Sequence, residues 1–238
     1  MLTVLIYIFS VLSLPFGVVS LLLWYKHRQW RRKLEPKFNQ STFCRRSGSE
    51  IVRTILDANQ LNELPVLQGL HSKDNFFSPT QGKHGKVYLS PEHYNYQSLR
   101  TLAVAAHECG HAINFYFKQK VSYLKISQIA YIIFYIFLVS VVFTLRLFKI
   151  NIWLYFISFF PYLVSIVFRL LEENKATYQG VKMLEKYNLI INEEKDFVKQ
   201  YLNSNFLDYV YKSLFGIFGW NVGMVLVIIN NISLLAKK

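Results

Sequence analysis

The chain of 238 residues is 53% hydrophobic and 17% aromatic, and it carries a formal charge of +13. It is too apolar for an average soluble domain, and its two cysteines, Cys44 and Cys109, cannot build a disulfide framework. Nucleic-acid binding is excluded as well, because much of the positive charge lies beside long charge-free stretches rather than along one face with stacking aromatics between.

The first charge-free stretch, Met1 to Tyr25, exceeds the roughly 7 to 15 apolar residues of a signal peptide and lacks a basic start. It reads as a retained anchor. Lys26, Arg28, Arg31, Arg32, Lys33 and Lys37 follow, opposed only by Glu35, and such a cluster marks the cytoplasmic side of a span. Within SGSEIVRTILDANQL, Ser47 to Leu61, a serine with Glu50 three residues on forms a capping-box signature, and Ile51, Ile55 and Leu56 recur at helical spacing. Leu64 to Leu67 and Lys86 to Leu89 are expected strands, separated by a loop containing Ser78, Pro79, Gly82 and Gly85. Ser90 and Pro91 open a short helical piece, since proline suits a first turn, and Ser98 begins the next helix.

That helix, SLRTLAVAAHECGHAINFYF, holds His107, Glu108, Cys109, Gly110 and His111, the H-E-x-x-H pattern of zinc peptidases. Positions i and i+4 share a helix face, so both imidazoles can aim a nitrogen at one ion. Glu108 lies about 100° around the helix, too far to join them as a ligand but suited to take a proton from water on the metal. Burying two imidazoles and a carboxylate among alanines and other apolar residues is costly without a metal or partners. Cys109 projects about 200° from His107 and reads as packing.

Further charge-free stretches run from Ile126 to Leu145, Ile150 to Phe168 and Ser213 to Ala236. Each approaches the roughly 20 residues that a helix needs to cross a hydrocarbon core. With Arg146 to Lys149 as a turn, the middle two form a hairpin that returns the chain to the cytoplasm at Arg169. A catalytic zinc needs a third protein ligand, and RLLEENKATYQG offers Glu172 or Glu173 there.

SGSEIVRTILDANQL and KVYLSPEHYNYQSLRTLAVAAHECGHAI together resemble the membrane-bound neutral zinc metallopeptidases of the YugP-like type, and more distantly HtpX-like and CAAX-type membrane peptidases. The resemblance is close over residues 47–125 and looser to Leu184. It implies a third ligand in an E-x-x-A pattern, which E-N-K-A matches at Glu173 and Ala176, leaving Glu172 as a neighbour or supporting group. NFFSPT and ATYQG depart from the family's H-Y-D-P-R-like and A-S-R-R-A-like segments. His84, His93 and Tyr178 are all open as oxyanion stabilisers.

The expected fold class is mainly α: an integral membrane protein with about four transmembrane helices and a small α+β, zincin-like cytoplasmic portion. Its expected parts are an anchor over 1–25, a cytoplasmic zinc-peptidase region over 26–125, a transmembrane hairpin over 126–171, a cytoplasmic helix with the third ligand over 172–208 and a last span over 209–238. The expected function is zinc-dependent endopeptidase in the cell membrane, its site facing the cytoplasm, with Zn2+ on His107, His111 and Glu173 and with Glu108 as general base. Expected partners are peptide or membrane-protein substrates and the lipid bilayer, with no nucleic acid; the oligomeric state is open. A related HtpX- or CAAX-type protease and a non-catalytic membrane scaffold with a structural metal are the alternatives.

Overall fold

The computed structural model describes residues 2–72, 74–79, 85–118, 123–147 and 152–235. Among them are seven α-helices and a small sheet: α1 (Leu2–Phe38), α2 (Gly48–Ala58), β1 (Val66–Gln68), β2 (Phe76–Ser78), β3 (Lys86–Leu89), α3 (Pro91–Asn95), α4 (Leu99–Ile113), α5 (Tyr123–Leu147), α6 (Ile152–Lys186) and α7 (Asn192–Leu235). A π-helical turn, Asn114–Lys118, extends α4. The chain divides into two compact units, one of residues 29–123 and 171–206, the other of residues 1–28, 124–170 and 207–238.

The first of these units holds the H-E-x-x-H helix. α2 starts where the capping box was expected: Glu50 accepts the Ser47 N–H at 2.7 Å, and the Ser47 hydroxyl accepts the Glu50 N–H at 3.4 Å. The backbone hydrogen bond from Ser47 also lowers the Glu50 carboxyl below its ordinary pKa. Gln60, at φ 59°, lets the chain turn out of α2, and the Leu61 N–H closes back on the Leu56 carbonyl at 2.9 Å. Ile51, Ile55 and Leu56 from α2 then join Leu102 and Ala106 from α4, Val87 and Leu89 from β3, and Leu184, Val198 and Leu202 in one buried core. Burying each of the larger aliphatic side chains favours folding by about 1.5–3 kcal/mol.

The sheet has the order β1-β3-β2. β1 lies parallel to β3 with Val66 beside Val87, and β2 lies antiparallel to it with Phe77 beside Val87. β1 and β3 match the two expected strands to within two residues. β2 falls in the segment read as a loop; at three residues ending beside Pro79 it is too short to leave an alternating pattern. Its place depends instead on pairing with β3 and on Phe76 stacking over Tyr88 at 4.7 Å between centroids.

The second unit is helical. Small residues let its segments approach: a Cβ on Gly17 would lie 2.9 Å from the Phe218 ring, and one on Gly216 would overlap the Tyr162 hydroxyl. Side-chain hydroxyls find backbone carbonyls, Ser20 donating to Tyr211 at 2.7 Å and Ser127 to Ser165 at 2.9 Å. Phe159 stacks on Trp220 at 4.2 Å between centroids.

This organisation corrects two expectations. Among the described residues no helix is long and apolar enough to cross a membrane, so the fold class with about four transmembrane helices does not hold, and the cell-membrane location falls with it. The physical reason is length: the described side chains begin at Val11 in the first charge-free stretch, end at Ile136 in Ile126 to Leu145, begin at Phe159 in Ile150 to Phe168 and end at Gly223 in Ser213 to Ala236, so each described part is shorter than the roughly 20 residues that a span needs. The rest of those stretches and part of the Arg146 to Lys149 turn lie outside the described residues.

Candidate metal centre

α4 begins at Ser98, whose hydroxyl accepts the Thr101 N–H at 3.2 Å. From Leu99 on, alanine, leucine and valine bury almost the whole helix. His107 and His111 lie one turn apart on the same face, their rings 4.7 Å apart between centroids and nearly perpendicular.

The facing helix is α6, and two glycines set the distance. A Cβ on Gly110 of α4 would overlap the carbonyl oxygen of Ala176, while a Cβ on Gly180 of α6 would come within 2.5 Å of the Ala106 carbonyl oxygen. Each helix thus presents bare backbone to the other's backbone. At that separation a carboxylate one turn before the crossing reaches both imidazoles.

Glu173 is that carboxylate. Its Oε2 lies 3.1 Å from His107 Nε2 and 3.6 Å from His111 Nε2, and the two Nε2 atoms are 3.1 Å apart. Ligand atoms held at about 2.0–2.1 Å by a tetrahedral zinc stand about 3.3–3.4 Å from one another, so the three observed separations bracket what that ion requires. The donor set also suits it, two imidazole nitrogens and one carboxylate oxygen.

The electrostatics favour positive charge at this point. Burial opposes a cation on His111, but hydrogen bonds that its ring donates to Glu172 and Glu173, with the nearby Glu173 and Glu108 carboxylates, outweigh it and hold the imidazole up at about 10. Burial likewise works against an ionised Glu173, yet hydrogen bonds and charge from His107 and His111 keep its carboxyl well below the ordinary range. The pocket is therefore built around an anionic carboxylate with a cation beside it.

Glu108, expected as the base, is buried on α4 next to His107. Glu172 lies outside the group of three and meets the far side of His111, its Oε1 3.1 Å from Nδ1. Cys109 turns to α2, its sulfur 3.8 Å from the Val52 carbonyl, and burial pushes its thiol far up. His93 meets Ser90 at 3.0 Å and Asn75 at 2.9 Å through Nδ1. Tyr178 is 70% exposed, and His84 lies outside the described residues.

Sequence reading passed over Thr177, whose hydroxyl oxygen is 3.2 Å from His107 Nδ1. The signal was present, since Thr177 follows Glu173 by four residues and therefore shares its helix face. It also passed over Gly180, the glycine of α6 that faces α4 beside Gly110 and carries no polar atom to draw attention.

A family model described as "Putative neutral zinc metallopeptidase" matches residues 10–228 of the chain. No curated protein matches it, and no solved structure does.

Proposed function

The chain belongs to the neutral zinc metallopeptidase family, and on that premise we propose that it is an endopeptidase in which His107, His111 and Glu173 hold zinc and Glu108 is the general base. The observation that carries this reading is the convergence of two Nε2 atoms and a carboxylate oxygen, from α4 and α6, at mutual distances of 3.1 to 3.6 Å.

When bound, zinc supplies a Lewis acid that polarises the scissile carbonyl and brings the pKa of water near 7. Glu108 takes the proton of the attacking water and passes it to the leaving amine as the peptide bond breaks. Its burial supports this role, because a carboxylate shielded from bulk solvent keeps the proton in the site until the amine leaves. Glu173 balances part of the positive charge, and His107 and His111 contribute neutral lone pairs.

The group has three members among the described histidine, cysteine and acidic residues. Three protein ligands are the complement of catalytic zinc sites, whereas structural sites are closed by four, which favours the peptidase over a metal-stapled scaffold. Glu108→Gln tests the reading, because it keeps the shape of the side chain and removes its basicity. Zinc content is expected to stay at the wild-type level while cleavage of a fluorogenic peptide library falls about 10²–10⁴-fold. Cleavage undiminished in that variant would remove Glu108 from the chemistry.

A further inference from the structure

We propose that α6 also fixes where the protons of both histidines sit, through Thr177 and Glu172 acting as positioning residues of unequal strength. The inference rests on the zinc reading of His107, His111 and Glu173.

A neutral imidazole has one nitrogen that donates and one that accepts, and only the accepting one can bind a metal. Both rings turn Nε2 toward the shared point, so each must carry its proton on Nδ1. Each Nδ1 atom meets a side chain of α6. His107 Nδ1 meets the Thr177 hydroxyl at 3.2 Å, and His111 Nδ1 meets the Glu172 carboxylate at 3.1 Å.

Glu172, Glu173 and Thr177 occupy two turns of one helix. Glu173 and Thr177, at i and i+4, address the two nitrogens of the same ring, Nε2 and Nδ1 of His107. Glu172 approaches the second ring from behind. A single rigid element therefore supplies one zinc ligand and orients the other two, and the close crossing at Gly110 and Gly180 keeps these contacts in register.

The two contacts differ in kind. An ionised carboxylate can only accept, so Glu172 permits one proton position on His111, and its charge strengthens the hydrogen bond. A hydroxyl can accept or donate, so Thr177 permits the required position on His107 without enforcing it. Glu172 is accordingly the stronger orienter.

The test uses the full chain and zinc itself as probe. Affinity is measured by competition with a chromogenic chelator, and the proton positions are read from nitrogen-15 histidine spectra of the zinc-loaded protein. Glu172→Ala is expected to weaken zinc binding toward 100-fold and Thr177→Val about 10-fold, the range found when partners of ligating histidines are removed. Thr177→Ser, which keeps the hydroxyl, is expected to restore binding to within about threefold of wild type. Zinc-loaded wild type is expected to carry Nδ1–H on both rings, with the His107 signal exchanging faster in Thr177→Val while that of His111 is unchanged. Wild type that binds zinc while Glu172→Ala and Thr177→Val bind it equally well would overturn the positioning roles alone. Wild type that takes up no zinc would overturn the metal centre and these roles together.

Discussion

α4 and α6 contribute to the same site in different ways. α4 carries its groups at a spacing fixed by helix geometry: His107 and His111 share a face whatever the rest of the molecule does. α6 has no such internal guarantee. Its Glu172, Glu173 and Thr177 acquire meaning only where α4 passes close enough for short side chains to reach across, at Gly110 and Gly180. One half of the site is thus local and the other half depends on a helix crossing, and variants on the two helices should fail in different ways.

The largest contrast lies within α6. Glu173→Ala is expected to lower zinc affinity by more than about 100-fold, beyond the loss from Glu172→Ala, because on the proposed reading the first removes a ligand and the second only the support of a neighbouring one. Metal analysis of the two purified variants beside wild type checks this, and equal zinc loss in both would dissolve the distinction. Next comes the crossing. Gly110→Ala forces a methyl group onto the Ala176 carbonyl and should cost about 3 kcal/mol of stability in urea unfolding, with zinc affinity falling alongside. Gly180→Ala meets the Ala106 carbonyl at a slightly longer distance and should cost less. A Gly110→Ala protein with unchanged stability and zinc affinity would mean that the helices need not approach so closely.

A comparable change in stability, with no change in zinc affinity, belongs to a histidine outside the site. His93 is held down at about 4, by burial first and the Arg100 guanidinium second, with Glu92 opposing them. A folded-state value below the ordinary 6.5 means that the neutral ring is the stable form. The stability this gives is whole above about pH 6.5 and is lost as pH falls through about 4, amounting to about 3 kcal/mol. Unfolding midpoints measured between pH 7 and pH 4 should show that decline, and His93→Asn should flatten it. The least effect is expected at the α2 cap, where Ser47→Ala removes one half of the capping box and should cost about 1 kcal/mol without altering zinc affinity.

The legibility of the molecule follows the same division. The capping box of α2, the Ser98 start of α4 and the histidine pair are short-range patterns, and each appears where its residues predict. Glu173 could be narrowed to two adjacent acids by position, and only the resemblance of E-N-K-A to a known pattern separated them. The structure separates them physically: Oε2 of Glu173 faces both Nε2 atoms, while Oε1 of Glu172 faces Nδ1 of His111. The membrane reading does not hold among the described residues because the described part of each charge-free stretch is shorter than the roughly 20 residues that a span needs. β2 was missed because three residues hold too little periodicity to be seen.

By itself the sequence determined the helix starts, the shared face of His107 and His111 and the chemistry those side chains permit, because these depend on neighbours within a few residues along the chain. Tertiary structure alone decided that Glu173, sixty-two positions beyond His111 in sequence, meets both rings, and that Thr177 and Glu172 stand behind them. Such meetings depend on how closely two helices can cross, and that is set by the absence of two side chains, at Gly110 and Gly180, which come together only in the folded chain.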